Sequence, residues 1–173
     1  QCFGGALKAV VDMDEKRRSV IQEISPDIPF TANLEGVLSA SSINAIIIAT
    51  PAETHYDLAK KALLSGKHVL VEKPMALYST EAADLTRIAE ERNLVLMVGH
   101  LLIYHAAIRH IKSIIDSGQL GKLQYIYSNR LNLGTVRKEE NILWSFAPHD
   151  VSVLQYLVGD NPIRVDARGG MFL

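Results

Sequence analysis

Three short apolar runs rich in β-branched residues, 44–49 (Asn-Ala-Ile-Ile-Ile-Ala), 67–72 (Lys-His-Val-Leu-Val-Glu) and 94–98 (Leu-Val-Leu-Met-Val), constrain this chain more than any other feature. Runs of this kind suit strands buried on both faces. The stretches between them place apolar residues three or four apart, as helices do: Leu58, Ala59, Ala62 and Leu63 within 53–64, and Ala82, Leu85, Ile88 and Ala89 within 79–92. Strands alternating with helices over short connections predict an α/β fold, a doubly wound parallel sheet covered on both faces.

Upstream the same pattern continues. Residues 6–12 read as a strand, 15–24 as a helix with Val20, Ile21 and Ile24 inward, and 34–40 as a helix that Asn33 caps. Gly66 suits the stop of the helix before it. A dinucleotide fold opens with a strand and a glycine-rich turn, whereas this chain opens at what corresponds to the second strand. The expectation is therefore a first strand missing through amino-terminal truncation.

Beyond residue 103 the periodicity changes. A helix over 104–117 with Ala107, Ile108, Ile111, Ile114 and Ile115 inward stops at Gly118. Residues 122–133 then alternate with period two, Leu123, Tyr125, Tyr127, Leu131 and Leu133 against Gln124, Ser128, Arg130 and Asn132. A half-exposed strand of this kind, followed by a helix over 148–158 and a strand over 163–169, predicts a second, α+β domain with a mostly antiparallel sheet. The expected organisation is a domain over 1–100 and the beginning of another over 101–173, truncated at its carboxyl end.

With 48% hydrophobic residues in 173, the chain has enough apolar surface for a core. Its net charge of −1 and scattered Lys and Arg argue against a nucleic-acid or anionic-membrane partner. No apolar run is long enough to span a bilayer. The single cysteine, Cys2, leaves no internal disulfide and points to a reducing cytoplasm. The six histidines and the carboxylates lack metal-ligand spacing, so no metal is expected.

Three places carry chemistry. The run 69–71 ends in Glu72-Lys73-Pro74, and ligands of open α/β sheets sit beyond the carboxyl ends of strands. Lys73 is either a substrate-facing ammonium or a charge-paired strand end. Asp12 closes the second strand, where a carboxylate accepts from the adenosine ribose of a dinucleotide; helix capping, shared with Asp14, is the alternative. That carboxylate predicts at least a tenfold preference for NAD over NADP, because a 2′-phosphate would meet it as a like charge. The prediction places Arg17 and Arg18 toward solvent. Pro148 suits a first helical position, which sets His149 in a first turn whose dipole keeps the ring neutral and basic, either as a general base or as an ordinary half-exposed residue. Asp150 beside it is at least a favourable first-turn charge. His55 faces either a cofactor or solvent, and His68 reads as structural.

In combination, Ala49-Thr50-Pro51 with His55 four residues on, Glu72-Lys73-Pro74-Met75-Ala76, Val98-Gly99-His100, residues 117–122 (Ser-Gly-Gln-Leu-Gly-Lys) and Ala147-Pro148-His149-Asp150 resemble the Gfo/Idh/MocA family of nicotinamide-dependent sugar and cyclitol oxidoreductases. The resemblance implies a Rossmann domain followed by the α+β domain, NAD as cofactor, hydride transfer at a sugar hydroxyl carbon, and assembly into dimers or tetramers. It implies Lys73 and His149 as catalytic residues and Asp12, Ala49, Thr50, Pro51, His55, Glu72, Lys73 and His100 as cofactor contacts. Substrate contacts would be Lys73, Arg130, Asn132, Arg137, His149 and Asp150. Segment 129–134 with Arg137 and 141–144 is similar to members that act on UDP-N-acetylated amino sugars at C3, and Arg130 and Arg137 either clamp a diphosphate or lie solvated. Inositol or free-sugar oxidation, and cofactor or sugar binding without catalysis, are the alternatives. Two departures stand out: Ser145 replaces the usual Asp four residues before His149, and Leu101, Leu102 and Ile103 follow His100 where polar residues are common.

Overall fold

The computed structural model describes residues 6–131 and 142–170. The chain divides into two compact units, Gln1–Val98 and Gly99–Leu173.

In the first unit, β1 (Val10–Val11), α1 (Arg17–Ile24), β2 (Phe30–Thr31), α2 (Leu34–Ser39), β3 (Ala45–Ile48), α3 (His55–Leu64), β4 (His68–Val71), α4 (Ser79–Glu91) and β5 (Leu96–Val98) follow one another. All pairings are parallel: β1 with β2, and β4 between β3 and β5. Ile46 lies opposite Val69, which lies opposite Leu96, and Ile48, Val71 and Val98 form the last row at the carboxyl edge. The α/β expectation is met by this arrangement.

The core lies where α3 and α4 cover the three-stranded sheet. Ile48, Val69 and Val71 pack with Ala59, Ala62, Leu63, Leu85 and Ile88. Each fully buried leucine contributes about 1.5–3 kcal/mol. Contrary to the reading of strands buried on both faces, Ile47 is 57% exposed and Met97 is also exposed. They point away from α3 and α4, and no described helix covers that side, so alternation decides which apolar residue is sheltered.

Local signals account for the ends of the elements. Asn33 caps α2, its side chain accepting from the Gly36 N–H at 2.9 Å. Gly66, at φ +75°, closes α3 in the left-handed conformation that a side chain disfavours. Lys67, which the sequence offers only as a strand start, is buried and donates to the Ala40 and Ile43 carbonyls at 2.8 and 2.7 Å, satisfying the chain just beyond α2. His68 is structural as expected, its Nδ1 accepting from Val95 N–H at 2.9 Å.

The second unit holds α5 (Ala106–Asp116), which His105 caps, and α6 (Ile142–Val158), packed on each other and, for α6, on a 3₁₀ turn at Leu101–Tyr104. Three expectations are corrected here. Residues 123–131 make no ladder, and Tyr125 is 82% exposed; 163–169 likewise form no strand, with Ile163 fully exposed. A strand needs a hydrogen-bonded neighbour to bury its face, and the described residues supply none for either segment. Finally, α6 starts at Ile142, so Pro148 lies inside the helix rather than at its first position.

Candidate active site

Ala49-Thr50-Pro51 leaves β3 beside Glu72-Lys73-Pro74, which leaves β4, because Ile48 is in register with Val71 and the Glu72 N–H donates to the Ile48 carbonyl at 2.9 Å. Ala49, Thr50 and Pro51 are exposed, Glu72 and Lys73 half-buried and Pro74 buried. The Lys73 N–H donates to Glu72 Oε2 at 3.3 Å. The chain bends at Thr50, where the following Pro51 disfavours helical backbone, and a 3₁₀ turn at Ala52–Thr54 leads into α3, tied by the Thr50 and Thr54 hydroxyls at 2.7 Å and by Thr54 Oγ1 donating to the Pro51 carbonyl at 2.8 Å.

His55 is placed differently from either reading of the sequence. It faces neither solvent nor an open cleft: it is 1% exposed, with Nδ1 2.7 Å from the Pro74 carbonyl oxygen and Nε2 2.8 Å from that of Thr50. Direct contact with a cofactor is thereby corrected to a place behind the two loops. The signal that marks it is the buried stripe of α3 itself, since Ala59, Ala62 and Leu63 continue the same face.

Asp12 stands directly after β1, its N–H donating to the Thr31 carbonyl at 3.2 Å. Its Oδ1 accepts from the Asp14 N–H at 2.9 Å in a turn ahead of α1, whose N-cap, Lys16, makes no side-chain cap bond, so Asp12 does not cap the helix. Arg17 is exposed as expected, yet its Nη1 lies 3.4 Å from Asp12 Oδ2. Arg18 lies over the Phe30 ring at 4.7 Å and donates to Glu15, which holds the Glu15 carboxyl below its ordinary range. Val20 and Ile24 are exposed rather than inward, and of the two arginines Arg18 is half-buried against Phe30 while Arg17 stays exposed. The half-exposed Asp12 carboxylate keeps acceptor capacity, which fits a ribose diol.

In the second unit His149 is half-buried, one turn beyond Ser145 on α6. Lying eighth in the helix rather than in its first turn, as the sequence suggested, it is beyond the reach of the amino-terminal dipole, an effect that fades within one turn. For the same reason Asp150 is no first-turn charge; it accepts from Ser128 Oγ at 3.1 Å and Arg130 Nε at 2.6 Å. Two residues read as substrate contacts thus engage each other, with the Arg130 guanidinium also 5.8 Å from the Phe146 ring centre. His100 is half-buried just before the turn Leu101–Tyr104. Asn132 and Arg137 lie outside the described residues. Among the described residues, no group of three or more His, Cys, Asp or Glu side chains is placed to hold a metal ion.

Comparison with known proteins adds to this geometry. A family model described as "oxidoreductase family, NAD-binding Rossmann fold" matches residues 3–100. The chain is 28% identical over 178 residues to 2,7-anhydro-N-acetylneuraminate hydratase of Mediterraneibacter gnavus, covering 96% of this chain and 46% of the relative. It is 32% identical over 130 residues to UDP-N-acetylglucosamine 3-dehydrogenase of Acidithiobacillus ferrooxidans, covering 75% and 40%. Identity to scyllo-inositol 2-dehydrogenase (NAD(+)) of Bacillus subtilis is 30% over 173 residues, covering 97% and 48%. The chain spans about half the length of these curated relatives.

Proposed function

The chain belongs to the Gfo/Idh/MocA oxidoreductase family, and from that premise we propose that the full-length protein transfers a hydride between a sugar hydroxyl carbon and NAD(P). The carrying observation is Lys73 at the carboxyl end of the central strand beside Ala49-Thr50-Pro51, directly after Glu72, whose N–H is held by the Ile48 carbonyl, with the Lys73 N–H donating to the Glu72 carboxylate. When bound, the nicotinamide supplies the hydride acceptor or donor. Ala49, Thr50, Pro51 and Glu72 border its side of the sheet edge, and Asp12 takes the adenosine ribose. Lys73 binds and polarises the substrate oxygen, His149 takes the hydroxyl proton, and His100 contributes to the cofactor side. Asp150 is the carboxylate nearest in sequence to His149 and pairs with Arg130, and Arg130 and Arg137 are the phosphate ligands of this reading.

A UDP-linked N-acetylated sugar is the substrate we propose, supported by the similarity to UDP-N-acetylglucosamine 3-dehydrogenase. Similarity to an inositol dehydrogenase over 97% of the chain favours an inositol as the second reading, and similarity to a hydratase over 96% adds an anhydro sugar. We assign the protein to a reducing cytoplasm, consistent with its lone cysteine, and, from the family resemblance, to a homo-oligomer; among the described residues no helix is long and apolar enough to cross a membrane. The test is NADH formation by the full-length protein with UDP-sugars, free sugars and inositols, alongside product mass analysis with an anhydro sugar. Turnover with UDP-N-acetylated sugars alone, lost in Lys73→Ala, is expected. Turnover with inositols only would refute the nucleotide-sugar assignment.

A further inference from the structure

We propose that His55 is a positioning residue for Lys73, a role that rests on the catalytic reading of Lys73 above. Buried polar side chains need partners, and His55 and Lys67 are the buried ionisable side chains among the described residues. Lys67 serves the chain end after α2. His55 serves two loops at the sheet's carboxyl edge, its ring lying between the carbonyls of Thr50 and Pro74.

The second of those carbonyls belongs to the residue after Lys73. One residue before Lys73, the Glu72 N–H is held by the Ile48 carbonyl at 2.9 Å. Lys73 is therefore bracketed: the strand ladder pins its approach and the ring of His55 pins its exit. The restrained peptide units, 71–72 and 74–75, enclose Glu72, Lys73 and Pro74; with peptide units planar and the proline ring fixing one dihedral, few backbone rotations remain between them, which narrows where the Lys73 ammonium emerges. Sheet pairing supplies the first restraint to any strand. The second depends on a side chain 18 residues earlier in the chain, brought there by α3.

The chemistry of the ring suits this task. A neutral imidazole has one N–H and donates to one carbonyl, and the doubly protonated ring donates to both. In either state the ring holds at least one loop directly and fills the space between the two. Leucine at this position would fill the space and offer no donor, whereas glutamine would keep one. The carbonyl of the buried Pro74, left unmet by leucine, would find a partner only by a shift of its loop.

The test uses the full-length protein with His55→Leu, His55→Gln and Lys73→Met. In cofactor-free protein, amine labelling with acetic anhydride is read by peptide mass spectrometry, with Lys112 on α5 as internal reference. Local loosening should raise Lys73 labelling about threefold in His55→Leu, leave Lys112 unchanged, and have a smaller effect in His55→Gln. In kinetics, His55→Leu should lower kcat about 10- to 100-fold, the scale of a small misplacement of a reacting group, with partial recovery in His55→Gln. Cooperative melting confirms that each variant is folded. If His55→Leu does not fold, the same two readouts on His55→Gln decide, with smaller displacements expected. Wild-type Lys73 labelling and kcat in a folded variant would overturn the proposal, as would an equal rise at Lys112, which marks general loosening. Undiminished turnover in Lys73→Met would instead refute the catalytic reading and leave the labelling result to judge the clamp.

Discussion

In the proposed function a single carboxylate, Asp12, sets the cofactor choice, and its neighbour changes the expected outcome. Read alone, Asp12 faces a 2′-phosphate as a like charge, which argues for a tenfold preference for NAD. With the Arg17 guanidinium 3.4 Å away, part of that repulsion is offset, because guanidinium groups bind phosphate oxygens well. The expected preference of the full-length protein is therefore below tenfold, and Arg17→Ala should widen it to at least about tenfold, or about 1.4 kcal/mol. Dissociation constants for both nucleotides check this; an unchanged ratio in the variant would exclude Arg17 from the ribose site. The acidic residue was legible in the sequence because strand ends have a position in the pattern. Arg17 was not, since its contact with Asp12 depends on how the turn between β1 and α1 folds.

Between elements, the tie that joins α3 to α4 is a polar cluster at the margin of their apolar contact. Asp84 accepts from Lys60 Nζ at 2.8 Å, Tyr56 Oη at 2.9 Å and Arg87 at 2.7 Å. The Lys60 bond first, then those of Arg87 and Tyr56, hold the Asp84 carboxyl far below its ordinary range. A carboxyl depressed on folding stabilises the fold above its unfolded pKa, about 3.9, and that contribution is lost as pH falls through the lower folded value. The melting temperature of Asp84→Asn should accordingly lie below that of wild type at neutral pH, and the gap should close on acidification below about pH 4. A gap independent of pH would show that the cluster acts through packing instead. The helices themselves were readable from their stripes, Leu85, Ile88 and Ala89 being buried as the spacing requires. Segment 122–133 shows the limit of such reading, because period two reports a preference for strand and carries no information on whether a neighbour is present to pair with it.

Taken whole, the chain leaves large apolar side chains uncovered in both units: Ile47 and Met97 on the open face of the sheet, and Tyr125, Tyr127, Leu131 and Ile163 in the extended segments. Exposed apolar surface of this kind invites association. The 173-residue chain prepared alone should therefore bind a hydrophobic dye strongly and sediment with concentration-dependent mass, and the full-length protein should do neither to the same degree; weak dye binding by the short chain would show these surfaces to be sheltered in solution. What the sequence by itself determined is local: parallel strands from β-branched runs, helices from their apolar stripes, the Asn33 cap and the Gly66 stop, and Lys73 at a strand's carboxyl end. These follow from steric preference and periodicity, which act over a few residues. Only the tertiary structure decided that Pro148 sits inside a helix, that Arg130 and Asp150 engage each other, and that His55 lies between Thr50 and Pro74. Such partners are 19 or 20 residues apart in the chain, as in His55 with Pro74 and Arg130 with Asp150, and burial selects them only once the intervening elements have packed.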